Sequence, residues 1–227
     1  AGVVVKVRSW LSLHANTSDS FTPAAPALNL FLKPVPDPTG KGNDYGFSLS
    51  LFGGKLVARF NQYENTQINS RNGDANTIGG RANQLDFYSA NIASTPFALA
   101  VQAQGWAMRA HPTWTREQIF AEVLRITKLD AAYFDQSNLA FNGNLAQTGD
   151  VLGKGQELQL YFTPSRHWTT SFSLTRQKTI NGQMFDDINN YLAMRLPVWL
   201  SIIDPETGER WWDSATGYDA SRRNAAN

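Results

Sequence analysis

The stretch that decides the fold is DYGFSLSLFGGKLVARFNQ, residues 44–62. Apolar and polar side chains alternate along both of its arms, so that Tyr45, Phe47 and Leu49 are separated by small or polar residues. A period of two is typical of a β-strand with one apolar and one polar face. The Gly53-Gly54 pair between the arms can adopt the positive φ angles of a tight turn. This stretch therefore predicts an antiparallel hairpin.

The same alternation occurs in two further segments, residues 2–18 and residues 156–178. The two arms of the first segment are joined at Arg8-Ser9, and those of the second at the four residues from Pro164 to His167. Three hairpins with short turns are thus predicted, with strands of about 8–11 residues. That length is close to the ~9–11 residues that a tilted β-strand needs to cross a bilayer.

The connections between the predicted hairpins are long, at residues 19–43 and 63–155, and residues 179–227 form a third long segment. Short turns at one end of the strands and long segments at the other are typical of outer-membrane β-barrels. A soluble β-sandwich has turn signals every ~8–12 residues instead. We therefore predict a mainly β fold, in which antiparallel long-strand hairpins of a transmembrane β-barrel carry a partly helical loop insertion.

Helices are predicted within these long segments. Residues 97–110 have a helical pattern, with Pro96 at the helix start. Thr115 and Gln118 have the spacing of a capping box, which predicts a second helix through residue 129. A third helix is predicted from Asp186 to Met194, ending before Pro197 because proline disfavours a helical residue before it.

The composition agrees with a membrane protein and excludes several other classes. The 227 residues contain 20 Lys and Arg against 19 Asp and Glu, a balance that excludes nucleic acid as the main partner. Aromatic residues make up 12% of the chain, which excludes intrinsic disorder. Only 17% of the residues are charged, below the ~25% usual for soluble domains. The absence of cysteine excludes a disulfide scaffold and a thiolate metal site.

Six strands are too few for a closed barrel, since the smallest membrane barrels have about eight. An open sheet in lipid would leave unpaired backbone groups at both edges, each costing several kcal/mol. The sequence also shows no signal peptide and no segment apolar enough for a transmembrane helix. We therefore expect residues 1–227 to be a partial outer-membrane β-barrel, an internal piece that needs further strands.

No set of residues in the sequence predicts covalent catalysis. His14, His111 and His167 lack metal-ligand spacing, and no nucleophile and base can be paired, so we expect no enzymatic activity, no metal and no cofactor. Asp186-Asp187 is interpreted as a solvated loop. Residues 72–76, NGDAN, are interpreted as a turn in preference to a calcium loop, because the downstream Glu of a calcium loop is missing.

Two tryptophans have the position of an interfacial aromatic belt. Trp10 and Trp168 each follow a short turn at the start of a predicted strand, where membrane barrels carry such a belt. Polar residues on the other face of the strands are predicted to line a lumen: Arg59, Asn61, Gln159, Tyr161 and Arg176.

Four motifs, in order along the chain, resemble the C-terminal half of the barrel of TonB-dependent outer-membrane receptors. They are WLSLHANTSDSFTP (10–23), PTGKGNDYGF (38–47), LFGGKLVARFN (51–61) and GQELQLYFTPSRHW (155–168), about a third of the chain. They resemble a strand ending in Phe-x-Pro, the next descending strand, the hairpin after it, and a later Gly-x-Glu strand with a Pro-containing turn and Trp.

The resemblance implies part of a 22-stranded barrel with an N-terminal plug domain in the bacterial outer membrane. Such a receptor binds a scarce solute and imports it with energy from the TonB complex. The partners implied are outer-membrane lipid, the plug domain, the remaining barrel strands, the TonB complex and a small solute. It also implies that the tight turns face the periplasm and the long segments the outside. Ligand-binding residues cannot be transferred, because the middle segment is long even for this family.

Two alternatives remain open on the sequence. One is a fragment of a passive porin-like barrel, which explains the alternation equally well. The other is a soluble secreted all-β carbohydrate-binding module, which requires that protein covers Leu49, Leu158, Leu160 and Phe172. Its stacking platforms would be the tryptophan-rich loops around Trp106, Trp114, Trp211 and Trp212.

Overall fold

A computed structural model describes residues 1–88 and 97–213. The strands in these residues are β1 (Gly2–Arg8), β2 (Leu11–Phe21), β3 (Thr39–Leu51), β4 (Leu56–Arg71), β5 (Phe134–Asp135), β6 (Ala140–Phe141), β7 (Thr148–Ser165) and β8 (Trp168–Gly182). The helices are α1 (Gly73–Asn83), α2 (Leu99–Ala110), α3 (Arg116–Thr127) and α4 (Asp186–Ser201), with a 3₁₀ turn at Ala131–Tyr133. None of these helices has the length and apolar character needed to span a membrane.

The chain divides into two compact units. The sheet unit comprises Ala1–Ala25, Pro36–Arg71 and Thr148–Met184, and the helical unit comprises Pro26–Val35, Asn72–Gln147 and Phe185–Asn227. The sheet unit is a six-stranded antiparallel sheet in the order β1-β2-β3-β4-β7-β8, so that β1 and β8 are its edges. The mainly β fold with long antiparallel hairpins is therefore confirmed.

Most strands are longer than the alternation predicts. Strand β4 has 16 residues and β7 has 18, because the pairing continues through Tyr63–Arg71 and Thr148–Gly155. These extensions lie inside the segment 63–155 that was predicted as a loop. The sequence YENTQINSR is polar on both faces, so backbone pairing extends the strand without any apolar alternation. Similarly, β2 continues to Phe21 and β3 begins at Thr39.

The three short turns lie at one end of the sheet's hairpins. In the β3–β4 turn Phe52, Gly53 and Gly54 have φ angles of 54°, 63° and 88°, the backbone that the glycine pair predicts. Residues 9 and 10 form the β1–β2 turn, and residues 166 and 167 form the β7–β8 turn. Trp10 therefore belongs to the turn itself, whereas Trp168 is the first residue of β8.

Gly46→Ala is expected to destabilise the sheet unit by about 1–3 kcal/mol, the usual cost of overpacking. A Cβ at Gly46 would lie 1.9 Å from the Phe60 carbonyl oxygen and 2.8 Å from His14 Cε1, so the backbone of β4 would have to move. The control is Gly153→Ala, where the nearest atom lies 3.9 Å away. Urea unfolding of the protein measures both free energies, and equal costs would contradict this account of Gly46.

The helical unit contains two helices at the predicted positions. Strong local signals define α3, since Thr115 Oγ1 accepts from the Gln118 amide and Gln118 Oε1 accepts from the Thr115 amide at 2.8 Å. Helix α2 begins at Leu99, two residues after the predicted start. The predicted start signal, Pro96, lies outside the described residues.

The interpretation of residues 72–76 as a turn is wrong. Asn72 is the N-cap of α1, and its Oδ1 accepts a hydrogen bond from the Ala75 amide at 2.8 Å. The pattern concealed this helix because α1 contains Gly79 and Gly80, which have low helix propensity.

The predicted end of the third helix is also wrong, because α4 continues through Pro197 to Ser201. Proline frees one carbonyl in a helix interior, but Arg195 and Trp199 on either side of it are both anchored in the core of the helical unit. Asp186-Asp187 is the first turn of α4 and not a loop, and Asp187 Oδ2 accepts from Asn29 Nδ2 at 2.8 Å. Carboxylates are stabilised at this end of a helix by its dipole. Residues 214–227 of the predicted loop 179–227 lie outside the described residues.

Candidate functional site

The strand register places the apolar half of the alternation on one face of the sheet, here called the apolar face. Two rows of apolar side chains cross this face, the first over the five strands from β2 to β8 and the second over all six strands of the sheet. The first row is Leu11, Leu49, Ala58, Leu160 and Phe172, and the second is Val5, Leu13, Phe47, Phe60, Leu158 and Leu174. Within the second row the rings of Phe47 and Phe60 stack with centroids 5.5 Å apart.

These rows are not covered. Leu13 is 44% exposed, Phe172 53% and Leu174 58%, and the side chains of the central strands are only half-buried. A contiguous exposed apolar surface indicates contact with a membrane or with another protein. The soluble carbohydrate-binding module required Leu49, Leu158, Leu160 and Phe172 to be covered, and none of the four is buried in this structure.

Aromatic side chains lie beside the apolar rows at the short-turn end. Trp10 is 47% exposed and Trp168 56%, and the Trp168 ring meets Phe162 edge-on with centroids 6.1 Å apart. Phe52, in the β3–β4 turn, is 73% exposed. Indole rings combine an apolar body with a polar N–H, so both tryptophans suit the membrane interface that the sequence predicts for them.

The opposite face, here called the polar face, carries four of the five residues predicted to line a lumen. Arg59 pairs with Gln159, Asn61 with Glu157, and Val57 with Tyr161, all with side chains on this face. The prediction for Arg176 is wrong. Side chains alternate between the two faces along β8, so Arg176 lies on the same face as Phe172 and Leu174, the apolar face. It lies beyond the last apolar row, opposite Gln156 on β7.

The polar face has a local hydrogen-bond cluster across β2, β3 and β4. His14 Nε2 donates to Asn61 Oδ1 at 3.1 Å, and Asn16 Nδ2 donates to Asp44 Oδ1 at 3.1 Å. His14 Nε2 lies 4.0 Å from Asp44 Oδ2. In residues 1–88 and 97–213 no group of three His, Asp or Glu side chains has the geometry to hold a metal ion. The cluster can hydrogen-bond a polar solute or another protein segment.

The other two histidines lie elsewhere. His111 stacks on Trp114 with ring centroids 3.7 Å apart, and His167 Nε2 accepts from Arg166 Nε at 2.8 Å in the β7–β8 turn. The structure thus places the three histidines in three different local environments.

A buried carboxylate organises the helical unit. Asp86 is fully buried and accepts four hydrogen bonds, from Tyr191 Oη (2.7 Å), Arg195 Nε (2.8 Å), Arg195 Nη2 (2.5 Å) and Trp199 Nε1 (2.9 Å). Burial, reinforced by the negative charge of Asp86, raises the pKa of Tyr191 well above its usual value. Tyr191 therefore remains a hydrogen-bond donor at physiological pH. No sequence signal identified Asp86, whose partners are 105 to 113 residues away.

Two of the tryptophans considered as stacking platforms are buried. Trp211 has no exposed surface and Trp106 is 4% exposed, so neither ring can stack on a sugar. Trp212 packs on buried Trp199 with ring centroids 5.8 Å apart. The tryptophan-rich part of the chain is therefore mainly core of the helical unit.

No protein-family model matches the chain, and no curated protein matches it.

Several solved structures of outer-membrane receptors do match. The alcaligin outer-membrane receptor FauA from Bordetella pertussis matches with a TM-score of 0.40 at 12% identity, over 81% of this chain and 22% of that one. The ferripyoverdine receptor of the outer membrane of Pseudomonas aeruginosa, bound to ferripyoverdine, matches with a TM-score of 0.44 at 13% identity, over 80% and 17%. The FpvAI–pyocin S2 complex gives 0.43 at 13% identity, over 81% and 17%.

This chain thus spans about a fifth of the length of the receptors that it matches. Over about four fifths of its length this chain is similar to part of each of these outer-membrane receptors.

Proposed function

We propose that this chain forms part of the transmembrane β-barrel of an outer-membrane receptor that binds a scarce solute and imports it with TonB-coupled energy. The observation that carries the proposal is that two uncovered apolar rows cross one face of the six-stranded sheet, while the opposite face of the same strands is polar. Alternation of lipid-facing apolar and lumen-facing polar residues is the defining pattern of such barrels. The strands from β2 to β8 in this sheet have 11 to 18 residues, enough to cross a bilayer.

In this proposal the chain contributes barrel wall and outer loops, and its mechanism is binding and gated passage without covalent chemistry. The apolar face contacts outer-membrane lipid, and the polar face, with Arg59, Asn61 and Gln159, faces the lumen. The edges β1 and β8 pair with further strands, because unpaired backbone groups in lipid are costly. The plug domain, the TonB complex and the solute itself are the other partners.

A passive porin-like barrel is the second candidate, and the same alternation supports it. The two candidates differ in energy coupling. Uptake by a TonB-dependent receptor stops when the gene for the TonB protein is deleted, whereas passive uptake continues unchanged. The probes are a panel of ferric chelates, corrinoids, sugars and peptides offered to cells that produce the full-length protein.

The proposed orientation predicts the labelling of two single-cysteine variants of the full-length protein, since this chain has no cysteine of its own. Thr113→Cys, in the exposed turn between α2 and α3, is expected to react on intact cells with a maleimide too large to cross the outer membrane. Lys55→Cys, at the exposed β3–β4 turn, is expected to react only after permeabilisation. Labelling of Lys55→Cys on intact cells would reject the orientation, and recovery of the protein in the soluble fraction would reject the membrane barrel.

A further inference from the structure

Two unlike charges are neighbours on the polar face, at the same level along the strands as the apolar rows. Arg59 is on β4 and Glu157 on β7, and they are diagonal neighbours because Arg59 is opposite Gln159 and Glu157 is opposite Asn61. Diagonal neighbours in an antiparallel pair are about 7–8 Å apart, within reach of long side chains. In the chain, Arg59 is flanked by one residue of each apolar row, so these charges lie in the part of the sheet that spans the proposed membrane.

Neither charge is paired within the sheet. Ser48 and Gln159 lie directly across from Arg59, and the two residues across from Glu157 are uncharged as well. In residues 1–88 and 97–213 no ion pair joins Arg59 to a carboxylate or Glu157 to a cation. Glu157 is half-buried, and a charge that loses water without gaining a partner costs free energy. Opposite charges supplied by a solute would remove this cost.

An oriented amide adjoins both charges. Asn61 is two residues from Arg59 on the same face of β4 and directly opposite Glu157. Its Oδ1 accepts from His14 Nε2 at 3.1 Å, which leaves the N–H groups of the amide for a solute. The ring of His14 lies over Gly46, since a Cβ at Gly46 would be 2.8 Å from His14 Cε1. The polar face therefore presents a cation, an anion and a neutral hydrogen-bond donor in adjacent positions.

We propose that Arg59, Asn61 and Glu157 bind a zwitterionic solute, one that carries a carboxylate and an ammonium group close together, as an amino acid or a short peptide does. This inference rests on the proposed function, because it takes the polar face as a wall of the solute path. The planar guanidinium of Arg59 can bind the solute carboxylate with two parallel hydrogen bonds. The carboxylate of Glu157 accepts from the ammonium group. A simple anion or cation would neutralise only one of the two charges, whereas a zwitterion neutralises both.

The test is the binding of three probes to the purified full-length protein. They are alanylalanine, its N-acetyl derivative, which lacks the ammonium group, and its methyl ester, which lacks the carboxylate. The wild type is expected to bind alanylalanine about tenfold more tightly than either derivative, because each derivative loses one hydrogen bond between charged groups. Arg59→Gln is expected to lose the preference over the ester and to keep the preference over the N-acetyl form. Glu157→Gln is expected to show the reverse.

Lys6→Gln is the matched control, because Lys6 is a cation in the same row of the polar face on β1 and is expected to leave both preferences unchanged. If one glutamine variant fails to fold, the other decides alone, since each removes a different preference. A wild type that binds the three probes equally, or binds none of them, would overturn the inference. So would the loss of both preferences in either variant, which indicates a structural effect. Any of these results from a protein recovered in the outer membrane rejects this inference alone, whereas a soluble protein rejects the proposed function.

Discussion

Asp86→Ala is expected to destabilise the helical unit by about 3–5 kcal/mol, because it leaves the buried Arg195 without its counter-charge. Arg195 is 1% exposed and directs both Nε and Nη2 to Asp86. The same substitution removes the acceptor of the Tyr191 hydroxyl and of the Trp199 indole. Buried donors that lose their acceptor bear the full cost of desolvation.

Hydrogen exchange of the α4 amides in the full-length protein measures this effect. A loss of about 3–5 kcal/mol corresponds to exchange that is faster by roughly two to four orders of magnitude. Asp213→Ala is the matched control, since Asp213 forms a half-exposed ion pair with Arg210 that contributes at most about 1 kcal/mol. Similar exchange in the two variants would show that the Asp86 cluster does not hold α4 in place.

The hairpins could be predicted from the sequence because their two faces differ in polarity. Leu158, Leu160 and Phe162 alternate with polar neighbours, so the sequence shows both that this segment is a strand and which of its residues share a face. The extension of β4 to Arg71 could not be predicted, since Tyr63–Arg71 is polar on both faces and its pairing depends on backbone hydrogen bonds. Arg176 lies on the apolar face because it is two residues from Leu174 in an alternating strand, although its polar side chain alone suggests the other face.

The helical unit was less predictable because long-range contacts override local signals there. The capping box at Thr115 is a local feature, and α3 begins where it predicts. Pro197 predicts a helix end, yet α4 continues because Arg195 and Trp199 both bind Asp86, more than 100 residues earlier in the chain. A partner so distant in the chain produces no periodic pattern in the sequence, so neither the hydrogen bonds of Asp86 nor the length of α4 could be predicted.

Leu160→Arg is expected to cost about 2–4 kcal/mol of folding free energy in a bilayer, the penalty for a cation on the lipid face near the midplane of a barrel. Leu160 lies in the first apolar row, between Ala58 and Phe172. Gln159→Arg is the matched control, because the neighbouring residue lies on the polar face opposite Arg59 and Ser173. We expect that variant to fold within about 1 kcal/mol of the wild type, since substitutions on the lumen side do not expose charge to lipid.

The way in which the penalty for an arginine changes with depth along the strand distinguishes a membrane barrel from a soluble sheet whose apolar face is covered by other protein. Leu51 lies on the same face next to the β3–β4 turn, and in a bilayer the penalty for Leu51→Arg falls to about 0–1 kcal/mol because the guanidinium reaches the interface. Urea titrations of the full-length protein in phosphatidylcholine vesicles give the three free energies. If Leu160→Arg and Gln159→Arg cost the same, the apolar face does not contact lipid. If Leu51→Arg costs as much as Leu160→Arg, the environment of this face does not vary with depth, and a protein partner covers it in place of a membrane.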